Sequence, residues 1–550
     1  MISDFKRVLL YGFLLLTVYM LWTAWQKEHP AQITPKTVVT GDSLLPTAPL
    51  NANSPQAEAS MQSQMQSQED KHARVYVKTD VLNVAIDLQN GDFVDAQLLK
   101  YPESLEDKAK PVALLNDAPE SAYTAGVRLL TLDAGALKNM DVSFSSQKSN
   151  YVLTGDRLQV KLYGKTKSGL EIEKRLTFRK GEYLVDVSYW VKNTRSTAAS
   201  LYFSTQILRA DPHEDKSSLF HVGSYVGASV SLPGEKMYKK LSFSDLAKND
   251  FKQTVQGGWV AMQQHYFLTA WVPNQDASNE IYSRALGSQY VIGMISNPKP
   301  VPQGALIQWN TRIYLGPELT DVLQNIAPGL ALTVDYGWLS AVSQFLFWVM
   351  KHIYQYVGNW GWVIVIVTLL IKLAFYRLSA TSYRSMANMR NLQPKLQALK
   401  ERFGDDKAKF SQAMMELYRK EKVNPLGGCL PIVIQIPVFI ALYWVLLESV
   451  QLRQAPFVLW IHDLSSSDPY YILPIMMGLT MFVQQKLSPT PPDPTQAKIM
   501  MFLPAVFTFL FLHFPAGLVL YWTVNNGLSI LQQWYITKKI ATKPLRLAKK

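Results

Sequence analysis

"VIVIVTLLIKLAFYRL", Val363 to Leu378, decides how this chain is read. It opens as an unbroken apolar run suited to a bilayer, places Lys372 inside that run, and reaches Arg377 five residues later. A lysine at the centre of a membrane helix costs roughly 2.5–3.5 kcal/mol on insertion scales. Two uses would justify keeping it. Lys372 stands about 7 Å along a helix from Arg377 at 1.5 Å per residue, so its side chain could snorkel to the cytoplasmic headgroups. Alternatively it faces a wet interior, as intramembrane charges normally do.

Working outward, the 48% apolar content of the 550 residues is concentrated at the start and in about the last 215 positions. Val8 to Trp25 is a nearly uninterrupted apolar run behind Lys6 and Arg7, with bulky Trp22 and Trp25 where a cleavage site would need small residues. This predicts an uncleaved signal anchor with a cytoplasmic N-terminus. Beyond Val363–Leu378, apolar segments recur at about Leu430–Leu447, Tyr471–Val483, Ile499–Phe514 and Ala516–Trp534. Upstream, Leu339, Val342, Leu346, Val349 and Ile353 follow helical spacing but are interrupted by Lys351 and His352, which predicts a helix lying in the interface. Arg377 through Lys422 carries eleven Lys/Arg against five Asp/Glu, net +6. The tail after Ile536 holds Lys538, Lys539, Lys543, Arg546, Lys549 and Lys550 and no acid. Six spans with both ends cytoplasmic satisfy these charges.

Inside the +6 loop, Leu392, Leu396, Leu399 and Phe403 form one stripe and Phe410, Met414 and Leu417 another, joined through Gly404 to Asp406. The pattern predicts an antiparallel helical hairpin. Glu28 to about Ala73 is rich in Pro, Gln, Ser and Thr, too poor in apolar surface to fold, and reads as a tether. From Arg74 the period changes to two. Leu82, Val84, Ile86 and Leu88 alternate before Asn90-Gly91, as do Leu158, Val160 and Leu162, and then Tyr183, Val185, Val187, Tyr189 and Val191. Such strands with frequent turns predict an antiparallel sandwich on the far side of the first span. The chain then divides into an anchor 1–27, a linker 28–73, a β-supersandwich domain 74–335, an interfacial helix with the second span 336–378, a cytoplasmic hairpin 379–427, spans three to six 428–537 and a basic tail 538–550.

The +13 charge and pI near 9.3 come from basic residues beside apolar runs, which is a topology signal and no sign of a DNA partner. One cysteine, Cys429, leaves no intrachain disulfide and no multi-thiolate metal site. No phosphate loop, HExxH, GxSxG or cysteine–histidine pair is present, so no catalytic residue, cofactor or metal is expected. His213, His221 and His265 among the acids of the sandwich imitate a carbohydrate site but read better as surface or satisfied core histidines. The methionines from Met386 to Met501 suit either ordinary packing or promiscuous apolar contact.

The candidate site gathers polar groups from three spans. Thr368 lies one turn before Lys372; Gln435 sits between Pro431 and Pro437; Tyr521 and Asn525 share a face at i, i+4, with Trp522 and Asn526 on the adjacent one. They could line a cavity open to the cytoplasm, or act as interhelical glue. A small-solute transporter would also place polar groups at midplane, but should show repeated halves, and no internal repeat is visible. A membrane-anchored carbohydrate-binding protein or enzyme would instead use the sandwich.

"GNWGW", "EKVNPLGGCLPIVIQIPVFIALYWVL", "LRQAPFVLWIHDLSSSDPYYILPIMMG" and "FPAGLVLYWTVNN" resemble the core of the YidC family of bacterial membrane protein insertases, over about 200 residues in order. The resemblance implies a polytopic α-helical membrane protein of the inner membrane: an anchor helix, a five-helix insertase core and a large periplasmic antiparallel β-supersandwich. It implies insertion and folding of nascent membrane proteins, alone or with the Sec translocon and its accessory subunits, through a hydrophilic groove in the cytoplasmic leaflet. In that groove one cation receives the polar segment of the client; the matching position is Lys372, where an arginine is usual. Arg377 replaces a common proline and Trp522 a common tyrosine, while Thr368, Gln435 and Tyr521 match positions that line or brace the groove. The basic tail is expected to meet either anionic phospholipids or the ribosome.

Overall fold

The structure, a computed structural model, describes residues 73–133, 136–212, 225–403, 406–421, 423, 430–488 and 494–541. The expected anchor, nearly all of the tether, His213, His221, Gly404, Cys429 and most of the basic tail lie outside the described residues. The rest falls into two compact units, one built around residues 36–335 and one around 336–447 and 451–550.

The first unit is a sandwich of a 12-stranded and a 9-stranded sheet. Period-two patterning sets their inner faces. Val160 and Leu162 are fully buried on Arg157–Thr166, and so are Val185, Val187 and Val191 on Leu184–Asn193. Pairing is antiparallel except where Arg74–Lys78 runs parallel to Asn150–Val152 at one edge, a departure from the all-antiparallel expectation. Gly91 takes the predicted left-handed conformation (φ +72°). The connection nevertheless spans residues 88–92, because the Leu88 carbonyl is drawn off to accept the Phe144 N–H at 2.6 Å. The sheets interlock through aromatic groups: Trp271 Nε1 donates to the Gln206 carbonyl at 2.9 Å, Tyr123 Oη to the Met262 carbonyl at 2.7 Å, and Phe203 stacks on Trp309 at 4.6 Å. Two short helices complete the unit, α1 (Phe243–Lys248), held by a Ser242/Asp245 capping box, and α2 (Thr320–Ile326).

Alternation overrides polarity at one position of this core. On Leu170–Arg179 the inward residues are Leu170, Ile172, Lys174 and Leu176, so a lysine occupies an apolar slot with no exposure. Its ammonium donates to the Gly91 carbonyl and lies 5.5 Å from the Phe93 ring centre and 5.4 Å from that of Tyr189. Beside it Asp92 is clasped by Arg128 at 2.5 and 2.6 Å. Burial pushes Lys174 down from 10.5 to about 8, Asp92 opposing and Arg128 adding.

The second unit is helical. Its elements are α3 (Ser340–Val357), α4 (Trp360–Ala374), α5 (Tyr376–Asn391), α6 (Gln393–Phe403), α7 (Lys407–Lys420), α8 (Leu430–Glu448), α9 (Ile472–Leu487), α10 (Pro494–Phe511) and α11 (Ala516–Ala541). In α3 the buried line is Ser343, Leu346, Phe347 and Met350, rotated from the predicted stripe, because Phe347 packs on Trp360 while Val342 turns outward. The second span, expected within 336–378, turns at Phe375: α4 and α5 meet at 69°, and α5 lays Ala380 and Tyr383 on Ile536 of α11. The hairpin forms as expected between α6 and α7, with Leu392, Leu396 and Tyr418 enclosed by Met389, Met414 and Leu417. Asp406 caps α7, accepting from Ala408 N and Lys409 N at 3.1 Å. Among the described residues no single helix is long and apolar enough to cross a membrane; only the bent pair α4–α5 is so in combination. The 15 residues of α4 and 16 of α9 reach about 22–24 Å at 1.5 Å per residue, less than the roughly 30 Å of a bilayer core.

The buried amine of Lys174 gives a first prediction. Its folded pKa lies below its unfolded one, so between about pH 8 and 10.5 the unfolded state binds more protons and stability rises with pH. The rise should amount to on the order of 2–3 kcal/mol at about 1.4 kcal/mol per unit. Buried tyrosines such as Tyr189 and Tyr282, whose ionisation burial opposes, cost both chains stability as pH rises toward 10. The lysine is therefore read from the difference: the urea midpoint of the parent sandwich should gain on that of Lys174→Met across the window, and parallel slopes would show that the amine is not the source.

Candidate functional site

Helix α4 begins at Asn359, whose side chain accepts the Trp362 N–H at 3.2 Å. From that start Trp360, Val363, Ile364, Val367 and Thr368 share the buried face. Lys372 continues this face one turn further, where α11 replaces apolar side chains with polar ones. On α11, Tyr521, Asn525, Ser529 and Gln533 recur every four residues and are all buried. The Lys372 ammonium donates to Ser529 Oγ at 2.7 Å. Ser529 Oγ in turn donates to the Asn525 carbonyl at 2.7 Å, and the Asn525 side-chain carbonyl accepts from Gln435 Nε2 of α8. One relay thus ties three helices together.

Beside the relay is a cleft with Lys372, Ser379 and Gln435 as its polar groups and Ile371, Phe375, Leu378 and Val438 as its apolar walls. The space open to the centre of a water molecule is about 20 Å³, just above the roughly 10–15 Å³ that one water needs. The slot has room for one water molecule and none for a polypeptide segment.

Of the six candidate residues, Lys372 and Gln435 line the cleft and Asn525 braces both from behind. Thr368 does not reach it, since its hydroxyl donates to the Ile364 carbonyl of its own helix at 2.6 Å. Tyr521 is buried, its ring 6.1 Å from that of Phe439 and its hydroxyl without a hydrogen-bond partner among the described residues. Trp522 belongs to an aromatic bracket with Phe439 at 4.6 Å and Phe511 at 5.2 Å. Asn526 donates to Thr480 Oγ1 of α9 at 3.4 Å and serves as interhelical glue. Ser529 and Ser379 escaped the sequence reading. The signal for Ser529 was present: the Tyr521–Asn525 spacing, carried one more turn, ends on it.

A cation, an amide and a hydroxyl can recognise an acidic or polar group, and the Ser529 hydroxyl beside Lys372 is committed as a donor to the Asn525 carbonyl. The family described as 60Kd inner membrane protein matches residues 352–543, and the YidC periplasmic domain family matches residues 74–349. The membrane protein insertase YidC of Legionella pneumophila strain Paris is 56% identical over 98% of this chain and 97% of its own. This chain belongs to the YidC family. The YidC insertase of Coxiella burnetii strain Dugway 5J108-111 is 47% identical over 97% of this chain and 96% of its own. A crystal structure of an active YidC insertase with its first transmembrane domain resolved aligns with a TM-score of 0.38 and 20% identity over 84% of this chain and 93% of that one, too loosely to carry an argument. As a YidC family member the chain is an inner-membrane insertase acting on nascent membrane proteins, and its sandwich is the family's periplasmic domain. The work is transfer between phases and makes no covalent bond.

The relay can be measured. Interhelical polar contacts in membrane proteins average about 0.6 kcal/mol, with an upper end near 1.7. A double-mutant cycle on Gln435→Leu and Asn525→Leu, read from thermal unfolding in detergent, should return a coupling in that range. Strict additivity would mean that the two amides do not interact.

Proposed function

We propose that Lys372 and Gln435 form the client-receiving surface of a hydrophilic groove in the cytoplasmic leaflet, backed by Asn525, with Thr368, Tyr521 and Trp522 shaping its wall from behind. The reading takes residues 1–27 as an anchor span, 336–378 as the interfacial helix and second span, and 428–537 as the remaining spans, with both termini cytoplasmic. The hairpin 379–427 receives the nascent chain, the tail 538–550 meets anionic lipid or the ribosome, and the Sec translocon with its accessory subunits docks on the outer side.

The observation that carries this is the partly buried Lys372 at the edge of a polar slot. An acidic residue at a helix centre costs about 2.5–3.5 kcal/mol to insert. A carboxylate 4 Å from the ammonium gains about 4 kcal/mol at an effective dielectric of about 20. One lysine therefore offsets one client acid. The bond surrendered to Ser529 is weaker than the bond gained, so exchange favours the client. The slot must widen to admit a chain, and walls of Phe375 and Val438 oppose little to a sideways exit into lipid.

Photo-crosslinkers at 372 and 435 should capture a ribosome-stalled client, and those at 368 and 521 far less. Lys372→Ala should lower insertion of a client with an acidic outer segment about tenfold, a loss of about 1.4 kcal/mol. A client without acids should change less than about twofold, and Lys372→Arg should retain most activity. Silence at 372 and 435, or equal loss for both clients, would refute the assignment.

A further inference from the structure

The segment between α8 and α9 contains a second unusual surface. Four non-glycine residues among those described have positive φ, and three of them are here: Gln454 (+56°), Leu459 (+56°) and Tyr471 (+57°). Leu459 is the most telling. It sits at the first central position of a turn closed by Ile461 N to the Val458 carbonyl at 3.2 Å, a place that positive φ reserves for glycine or asparagine. It is also 78% exposed. A branched apolar residue, strained and bare, is costly in water, and such outliers persist where the surroundings enforce them for a use.

The surroundings enforce it. Asp463 accepts from Gln454 N, Ser465 N and Ser465 Oγ at 3.0, 2.8 and 2.7 Å. Asp468 accepts from Trp460 Nε1 at 3.0 Å and from Leu473 N at 2.7 Å. Both carboxylates are thereby turned inward and engaged. "APFVLWI", residues 455–461, carries no charge at all. The turn is bolted to the start of α4: Asn359 Nδ2 donates to the Phe457 carbonyl at 3.1 Å, Phe457 packs edge-on to Trp362 at 5.4 Å, and a Cβ on Gly361 would meet the Phe457 ring at 2.0 Å.

We infer that the Val458–Leu459 tip is a lipid anchor that enters the headgroup–acyl boundary at the end of the bundle where α4 begins. The inference rests on the bilayer reading of this unit. The tip commits to lipid because its neighbours at that end are the exposed Trp362, Tyr470 and Tyr471, an interfacial aromatic set, continuous with the exposed apolar Ile475 and Leu479 along α9. Its consequence is a ruler. From Trp360 to Lys372 is about 18 Å at 1.5 Å per residue, so an anchor rigidly joined to the helix start holds the ammonium just beyond the middle of a roughly 30 Å hydrocarbon layer.

The test uses the full chain with Cys429→Ser, carrying Leu459→Cys or Leu479→Cys labelled with an environment-sensitive fluorophore, in vesicles of phosphatidylcholine and phosphatidylglycerol. Lipids bearing a nitroxide near the headgroup or deep in the acyl chain serve as quenchers. Position 459 should be quenched at least about twofold more by the shallow nitroxide, and position 479 more by the deep one. Quenching at 479 with none at 459 overturns the anchor, leaving water or a protein partner over the tip and the bilayer reading intact. Absence of quenching at both overturns the bilayer reading and the anchor with it. Gly361→Ala supplies a second readout: with Phe457 displaced, shallow quenching at 459 should fall by about half, and an unchanged signal would deny the coupling to α4.

Discussion

An ammonium group set among apolar helices must be solvated by something, and the first partner of Lys372 is a single hydroxyl. The direction of the relay matters more than its length. Ser529 spends its proton on the Asn525 carbonyl, so its lone pair is free to face the lysine. Asn525 then offers its side-chain carbonyl to Gln435. α4, α11 and α8 are therefore held in one register by donors and acceptors that each have a defined role. A lysine has three donors, and among the described residues Ser529 takes one of those of Lys372. On the proposed reading the remaining donors are those that a client carboxylate meets.

Lys174 and Lys372, both set among apolar side chains, differ in what can reach them. Lys174 fills a core position on a strand, fully buried and enclosed by the Gly91 carbonyl and two aromatic faces. Its partners come from the fold, and nothing exogenous can reach it. Lys372 has less burial, one hydroxyl partner and an adjoining slot. The same side chain is a packing element in one unit and, on the proposed reading, a receptor in the other, because access differs.

How far the sequence carried depended on the range of the forces involved. Alternation along Leu184–Asn193 predicted its buried face, since a strand's side-chain period is fixed by its backbone. The spacing of Lys372, Gln435 and Asn525 was legible because a charge or amide in an apolar run has few places to go. The parallel pairing of Arg74–Lys78 with Asn150–Val152 was not, because it joins strands more than seventy positions apart with no local signal. Thr368 and Tyr521 were grouped with the cleft by helical phase alone, which tells the face of a helix but not what the neighbouring helix places against it. The bend at Phe375 contains neither proline nor glycine; it arises from tertiary packing of α5 on Ile536.

On the proposed groove reading, a lysine in place of a guanidinium changes how the site would work. A planar fork of five donors binds a carboxylate in two parallel bonds but needs several acceptors when no client is present. The relay supplies one hydroxyl, and the other described polar groups of the slot are a serine and an amide. A flexible ammonium can rest on that single hydroxyl and swing to a new partner at little steric cost. It grips less specifically, as a point charge, and it releases more readily. If, as proposed, this surface passes a segment onward into lipid, weak and undirected attraction is the better chemistry: a bidentate clasp strong enough to recruit the client would also hold it at half depth.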